Sequence, residues 1–187
     1  MLNNIASMLG VGGGVATDYE SIATVTVGAG GSASIDFTSI VGTYTHLQIR
    51  GIARTANAAT YGGLRLQLGN GSIDTGTNYN THDLYGDGST VTASNTTNSA
   101  NIYGGTITSA SLGASMFGVA VIDILDYSNT NKYKTVRTLN GADGNGSGYV
   151  GIMSGAWRNT AAINTIKLFA TSGNFVQYST FALYGIK

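Results

Sequence analysis

Two histidines, nine carboxylates and eleven tyrosines are the side chains of this 187-residue chain best equipped to act on or hold another molecule. His46 and His82 form no His-x-x-x-His or His-Glu-x-x-His pair, so a histidine-built metal site is not expected. His82-Asp83 with Asp87 would supply a base and an orienting carboxylate, but no Gly-x-Ser-x-Gly nucleophile turn accompanies them. Glu20 is the sole glutamate, which leaves paired-carboxylate hydrolysis to aspartates such as Asp123 and Asp126. Their apolar strand context predicts structural hydrogen bonding instead. Asp143-Gly-Asn-Gly-Ser has the oxygen spacing of half a calcium loop, yet Ser154 stands where the closing bidentate glutamate belongs. Gly28-Ala-Gly-Gly-Ser-Ala and Gly146-Ser-Gly-Tyr-Val-Gly match a dinucleotide-binding spacing, but each leads into a β pattern rather than a helix that could face a pyrophosphate. No enzyme, cofactor or metal is expected.

The tyrosines point elsewhere. Tyr79, Tyr85, Tyr103, Tyr127 and Tyr149 fall in stretches rich in Ser, Asn and Gly, the composition of binding loops, where tyrosine offers contact area at low entropy cost. Subunit interfaces have the same signature, aromatic and poor in charge. With charged residues at only 10% and a formal net charge of zero, the interface reading is favoured. The same figures remove the electrostatic pull needed for nucleic acid or an anionic membrane. They also leave the surface poorly protected against self-association.

The elements that must carry these residues read as strands. Ser21 to Val27 and Ser32 to Phe37 flank a glycine turn and predict a hairpin. Thr45 to Arg54 alternates Leu47, Ile49 and Ala53 against Gln48, Arg50 and Arg54, and Leu64, Leu66 and Leu68 alternate with Arg65 and Gln67. Residues 69 to 114 form a long polar tract with short strands expected near Asp83 to Tyr85 and Asn101 to Ile107. Met116 to Leu125 and the return strand Phe175 to Ile186 are apolar on both faces, which predicts central strands. Lys132 to Leu139 alternates, and Asn140 to Gly148 reads as a flexible connection to Tyr149 to Ser154. Ile166, Leu168 and Ala170 with the turn at 171–174 predict a terminal hairpin, and a single helical turn is expected near Asn159 to Ile163. With no proline among 187 residues, turns fall to Gly and Asn at positive φ. The expected fold is all-β: one antiparallel β-sandwich over residues 18–187, jelly-roll-like, with another Greek-key sandwich or a barrel as the alternative.

Residues 1–17 form a separate segment, an apolar stretch with Ile5, Met8 and Leu9 followed by Gly12-Gly-Gly. It predicts a flexible N-terminal arm, either a frayed terminus or an anchor that buries its apolar residues on a neighbouring subunit. Deletion of residues 2–14 is expected to leave the fold intact and weaken attachment. The start lacks the basic n-region of a secretory signal, so synthesis in a cytoplasm is expected.

Six segments carry a resemblance: Ile35-Asp-Phe-Thr-Ser-Ile, Tyr44-Thr-His-Leu-Gln-Ile-Arg, Ile122-Asp-Ile-Leu-Asp-Tyr, Trp157-Arg-x-Thr-Ala-Ala-Ile-x-x-Ile, Ser172-Gly-Asn-Phe-Val-Gln-Tyr-Ser-Thr and Leu183-Tyr-Gly-Ile-Lys. Over residues 19–187 the chain resembles a family of small structural proteins of tailed-phage virions, especially cyanophages and other aquatic phages, identified as head decoration, tail or fibre proteins. The resemblance implies a virion part, and with it a decoration or cement protein that binds the major capsid protein as a homotrimer. Contacts are expected from Ile5, Met8, Leu9, Tyr79, Tyr85, Tyr103, Tyr127 and Tyr149. The alternative is a tail-fibre or receptor-binding module whose loops in 69–114 and 140–149 hold host surface glycan. A polysaccharide-degrading enzyme would need an acidic pair on one face.

Overall fold

Period-two alternation of apolar residues runs through the chain, and the computed structural model, which describes residues 18–187, contains thirteen strands and no helix among them. They are β1 (Tyr19–Thr26), β2 (Ser34–Phe37), β3 (His46–Ala53), β4 (Tyr61–Asn70), β5 (Ser72–Ile73), β6 (Tyr79–Gly86) and β7 (Val91–Ser99). There follow β8 (Ile102–Thr108), β9 (Gly118–Leu125), β10 (Lys134–Asp143), β11 (Gly148–Trp157), β12 (Thr165–Ala170) and β13 (Thr180–Ile186). The N-terminal arm with Ile5, Met8 and Leu9 lies outside the described residues.

The strands form two antiparallel sheets packed as a sandwich. One has eight strands in the order β1-β13-β3-β9-β10-β11-β6-β7; the other runs β2-β12-β4-β5, with β8 also paired to β4. If β5–β7 and β10–β11 are set aside, four strands remain in each sheet, ordered β1-β13-β3-β9 and β2-β12-β4-β8. The chain crosses between sheets at nearly every connection, an order consistent with a jelly roll. Strands β10, β11, β6 and β7 lengthen one sheet only. The larger sheet therefore reaches past the smaller one, whose strand β8 lies against β10, β11 and β6.

The core fills from both inner faces. Leu64, Leu66 and Leu68 of β4, Leu47 and Ile49 of β3, Ile122 and Ile124 of β9, and Phe181 and Leu183 of β13 join one cluster, each fully buried. Each such side chain contributes about 1.5–3 kcal/mol. Trp157 closes one end, and its indole Nε1 donates to Asp74 Oδ2 at 2.8 Å. The buried Lys134 ammonium donates to the carbonyls of Asn129, Lys132 and Thr160 at 2.6, 3.0 and 3.0 Å.

Several local expectations change. Neither predicted hairpin forms: β1 pairs with β13 and β2 with β12, while β12 and β13 lie in different sheets. Crossing the sandwich lets each strand bury its apolar side against the opposite sheet, whereas a hairpin would hold both strands in one layer. Phe175 sits fully buried in the crossing, bridged to Ser32 and Thr55. The single helical turn near Asn159 is instead a loop in which Ala161 N–H donates to Asn159 Oδ1 at 2.9 Å. Residues 140–143, expected as a flexible connection, continue β10.

Candidate functional site

Alternation along β6 separates His82 from Asp83. His82 is exposed on the outer side, whereas Asp83 is buried and accepts from Ser94 Oγ at 2.8 Å. Asp87 caps the following turn through Ser89 and Thr90 N–H, at 2.9 and 2.7 Å. These three residues do not converge. Asp123 accepts from Gln48 Nε2 at 2.7 Å and pairs with Arg137 at 2.8 Å, while Asp126 pairs with Lys132, which holds its carboxyl below the ordinary range. Both aspartates make the structural bonds their context predicts. Asp143 accepts Asn145 N–H at 2.9 Å in the β10–β11 turn. Among the described residues, no group of three or more His, Cys, Asp or Glu could hold a metal ion.

The five tyrosines expected in loops lie on strands β6, β8 and β11, apart from Tyr127 in a turn, and divide into two sets. Tyr79 and Tyr127 are wholly buried, which corrects their assignment as contact residues: neither leaves any surface for a partner. The Tyr79 hydroxyl lies 2.9 and 2.8 Å from the Leu68 and Asp74 carbonyls and accepts Leu68 N–H at 3.0 Å. The Tyr127 hydroxyl donates to the Val41 carbonyl. Burial raises the pKa of both, so they remain neutral pins of the core. Tyr85, Tyr103 and Tyr149 are brought together, and Tyr61, which the sequence did not single out, joins them.

These four line a recess of about 240 Å³ floored by Gly62 and Gly63. Tyr61 and Tyr103 come from β4 and β8 of the smaller sheet. Tyr85 and Tyr149 occupy inward-facing positions of β6 and β11, aligned with buried Asp83 and Met153 respectively. They would belong to the core had the smaller sheet extended beneath them. Tyr61 meets Tyr149 edge-to-face with centroids 4.7 Å apart, and Tyr85 lies 5.6 Å from Tyr149. Tyr61 Oη donates to Ser147 Oγ at 2.9 Å, and the Tyr103 and Thr106 hydroxyls are 2.7 Å apart. The Arg65 guanidinium lies 4.7 Å over the Tyr103 ring, and its Nε donates to Thr171 Oγ1 at 2.9 Å. Burial raises the Tyr103 pKa and lowers that of Arg65. At Gly63 a Cβ would stand 2.5 Å from Thr171 Oγ1 and 3.1 Å from the Tyr103 ring, so any larger residue must displace one of these side chains.

The second feature is the outer face of the larger sheet. Ala93, Leu84, Ile152, Leu139 and Val121 stand in register across β7, β6, β11, β10 and β9. Leu84, Ile152 and Leu139 are 47%, 48% and 58% exposed. Val150, Val119 and Ile52 add a neighbouring apolar row, also exposed. A shallow concavity of about 510 Å³ lies over Leu84, Ala93, Leu125 and Ile152. His82, Ser154 and Arg137 share its lining and belong to a polar row with Asp123 and Gln48, whose opposite charges are paired within the row. The sequence signal was present but took another meaning: strands apolar on both sides read as central, and β9 is central, yet its second apolar side faces outwards.

No protein-family model, curated protein or solved structure matches the chain.

Proposed function

We propose that the chain is a non-catalytic structural protein of a tailed-phage virion, a head decoration or cement protein that self-associates and binds the assembled lattice of the major capsid protein. One observation carries the reading: the in-register apolar rows on the outer face of the larger sheet, an arrangement that marks interaction sites on soluble proteins. A protein that binds the closed lattice and not its separated subunits stabilises the shell by mass action. The homotrimer follows from the resemblance to decoration proteins. Made in the host cytoplasm, the protein would end in the virion.

The test is to purify virions and count copies by quantitative mass spectrometry. Hundreds per particle, together with a lower shell melting temperature when the protein is omitted, support decoration. A handful per particle transfers it to the tail, and absence from particles overturns the reading. The alternative, a tail-fibre or receptor-binding module that holds host glycan, is favoured by the four-tyrosine recess.

A further inference from the structure

We propose that the recess between Tyr61, Tyr85, Tyr103 and Tyr149 binds a neutral pyranose, a single sugar ring of a glycan. This deepens the receptor-binding alternative and rests on it for biological meaning, although the site would stand in a decoration protein as well.

Size comes first: about 240 Å³ falls below the range of about 300–1,000 Å³ that drug-sized ligands occupy, and suits one ring. Chemistry narrows the class. The lining is four aromatic rings with hydroxyls at their rims and no carboxylate or ammonium. Aromatic faces carry negative potential and attract the slightly positive C–H face of a pyranose, while ring hydroxyls need donors and acceptors around the edge. The Tyr85 and Tyr149 hydroxyls have no partner among the described residues, and those of Tyr61 and Tyr103 bond to single hydroxyls that can accept or donate again. The nearby cation, Arg65, lies over Tyr103 and bonds to Thr171, so an anionic sugar or a phosphate gains little here.

The probes are the methyl glycosides of glucose, galactose, mannose and N-acetylglucosamine, titrated into the full chain and followed by saturation-transfer NMR and by the tyrosine ring signals. We expect at least one to bind with a millimolar Kd and to shift the rings of these four tyrosines. Tyr85→Ala and Tyr149→Ala should each weaken binding by about three- to tenfold, the scale of one aromatic contact. Tyr149→Phe, which keeps the ring, should weaken it less, and Tyr133→Ser, at an exposed tyrosine outside the recess, should leave glycoside binding unchanged. Ring shifts in the unaltered protein decide the matter if an alanine variant fails to fold. Binding by none of the glycosides, binding that survives both alanine variants, or adenosine displacing every glycoside from the recess would each overturn the site. Adsorption of the labelled protein to host cells, competed by the bound glycoside, separates the two claims. Glycoside binding without adsorption keeps the site and removes the receptor reading.

Discussion

Lys134 is as buried as any leucine of the core, with its three ammonium donors on three carbonyls. Desolvation lowers its pKa, with the Lys132 charge adding to the effect. Lys134→Met would fill the space and orphan those carbonyls, at a cost of about 2–4 kcal/mol in urea unfolding. Asp74 gives a pH-dependent case. Burial raises its pKa, but hydrogen bonds from Trp157, Asn78 and Gly76 N–H outweigh that, and the net shift is downward. A carboxyl depressed in the folded state adds stability above its unfolded value and loses it as pH falls through the folded one. The contribution should therefore be whole above about pH 4 and disappear only as pH falls below that through the lower, folded value. Asp74→Asn is expected to lower the melting temperature at neutral pH and to flatten its fall in acid. Neither role was legible in the sequence, because the partners are set by the loops that close over them. The tyrosines teach the same lesson. Tyr79 and Tyr85 share one side of β6, and only the reach of the opposing sheet decides that one is core and the other lines a cavity.

At the scale of elements, strands with clean alternation were readable and their partners were not. The places of β3, β4, β9 and β13 follow from Leu47/Ile49, Leu64/Leu66/Leu68, Ile122/Ile124 and Phe181/Leu183, although β13 begins at Thr180 and not at Phe175, and β9 at Gly118 and not at Met116. Strand β7 had no such signal, since Val91–Ser99 is an exposed edge with little to bury. Pairing joins Tyr19 to Ile186 across nearly the whole chain, a relation that no short window contains. Positive φ at Gly31, Gly71, Gly146 and Gly173 matches the glycine turns anticipated in a proline-free chain. Contact between sheets adds its own demand at Gly155 of β11, where a Cβ would stand 2.5 Å from the Ile102 side chain of β8. Gly155→Ala should force β8 away and cost about 1–3 kcal/mol, measured by thermal or urea unfolding.

For the molecule as a whole, the exposed apolar rows and the zero formal net charge make apolar contact the basis of the proposed association. Leu139→Lys combined with Ile152→Lys places two cations in the middle of the outer apolar row. Each lysine alone should change monomer stability by no more than about 0.5 kcal/mol, and the pair by more, because Leu139 and Ile152 face each other across β10 and β11 and like charges there repel. Self-association in sedimentation velocity should be lost. In the unaltered protein, association should persist at high salt, because screening acts on charge pairs and not on apolar contact. The added strands have one more consequence. Since β6 and β11, which carry Tyr85 and Tyr149, lie beyond the eight-strand frame, the tyrosine cleft borrows two of its walls from the extension of the larger sheet. Exchange of Tyr85 and Tyr149, near the ends of these strands, would reshape the cleft and leave in place the core residues Tyr79 and Trp157 at their opposite ends.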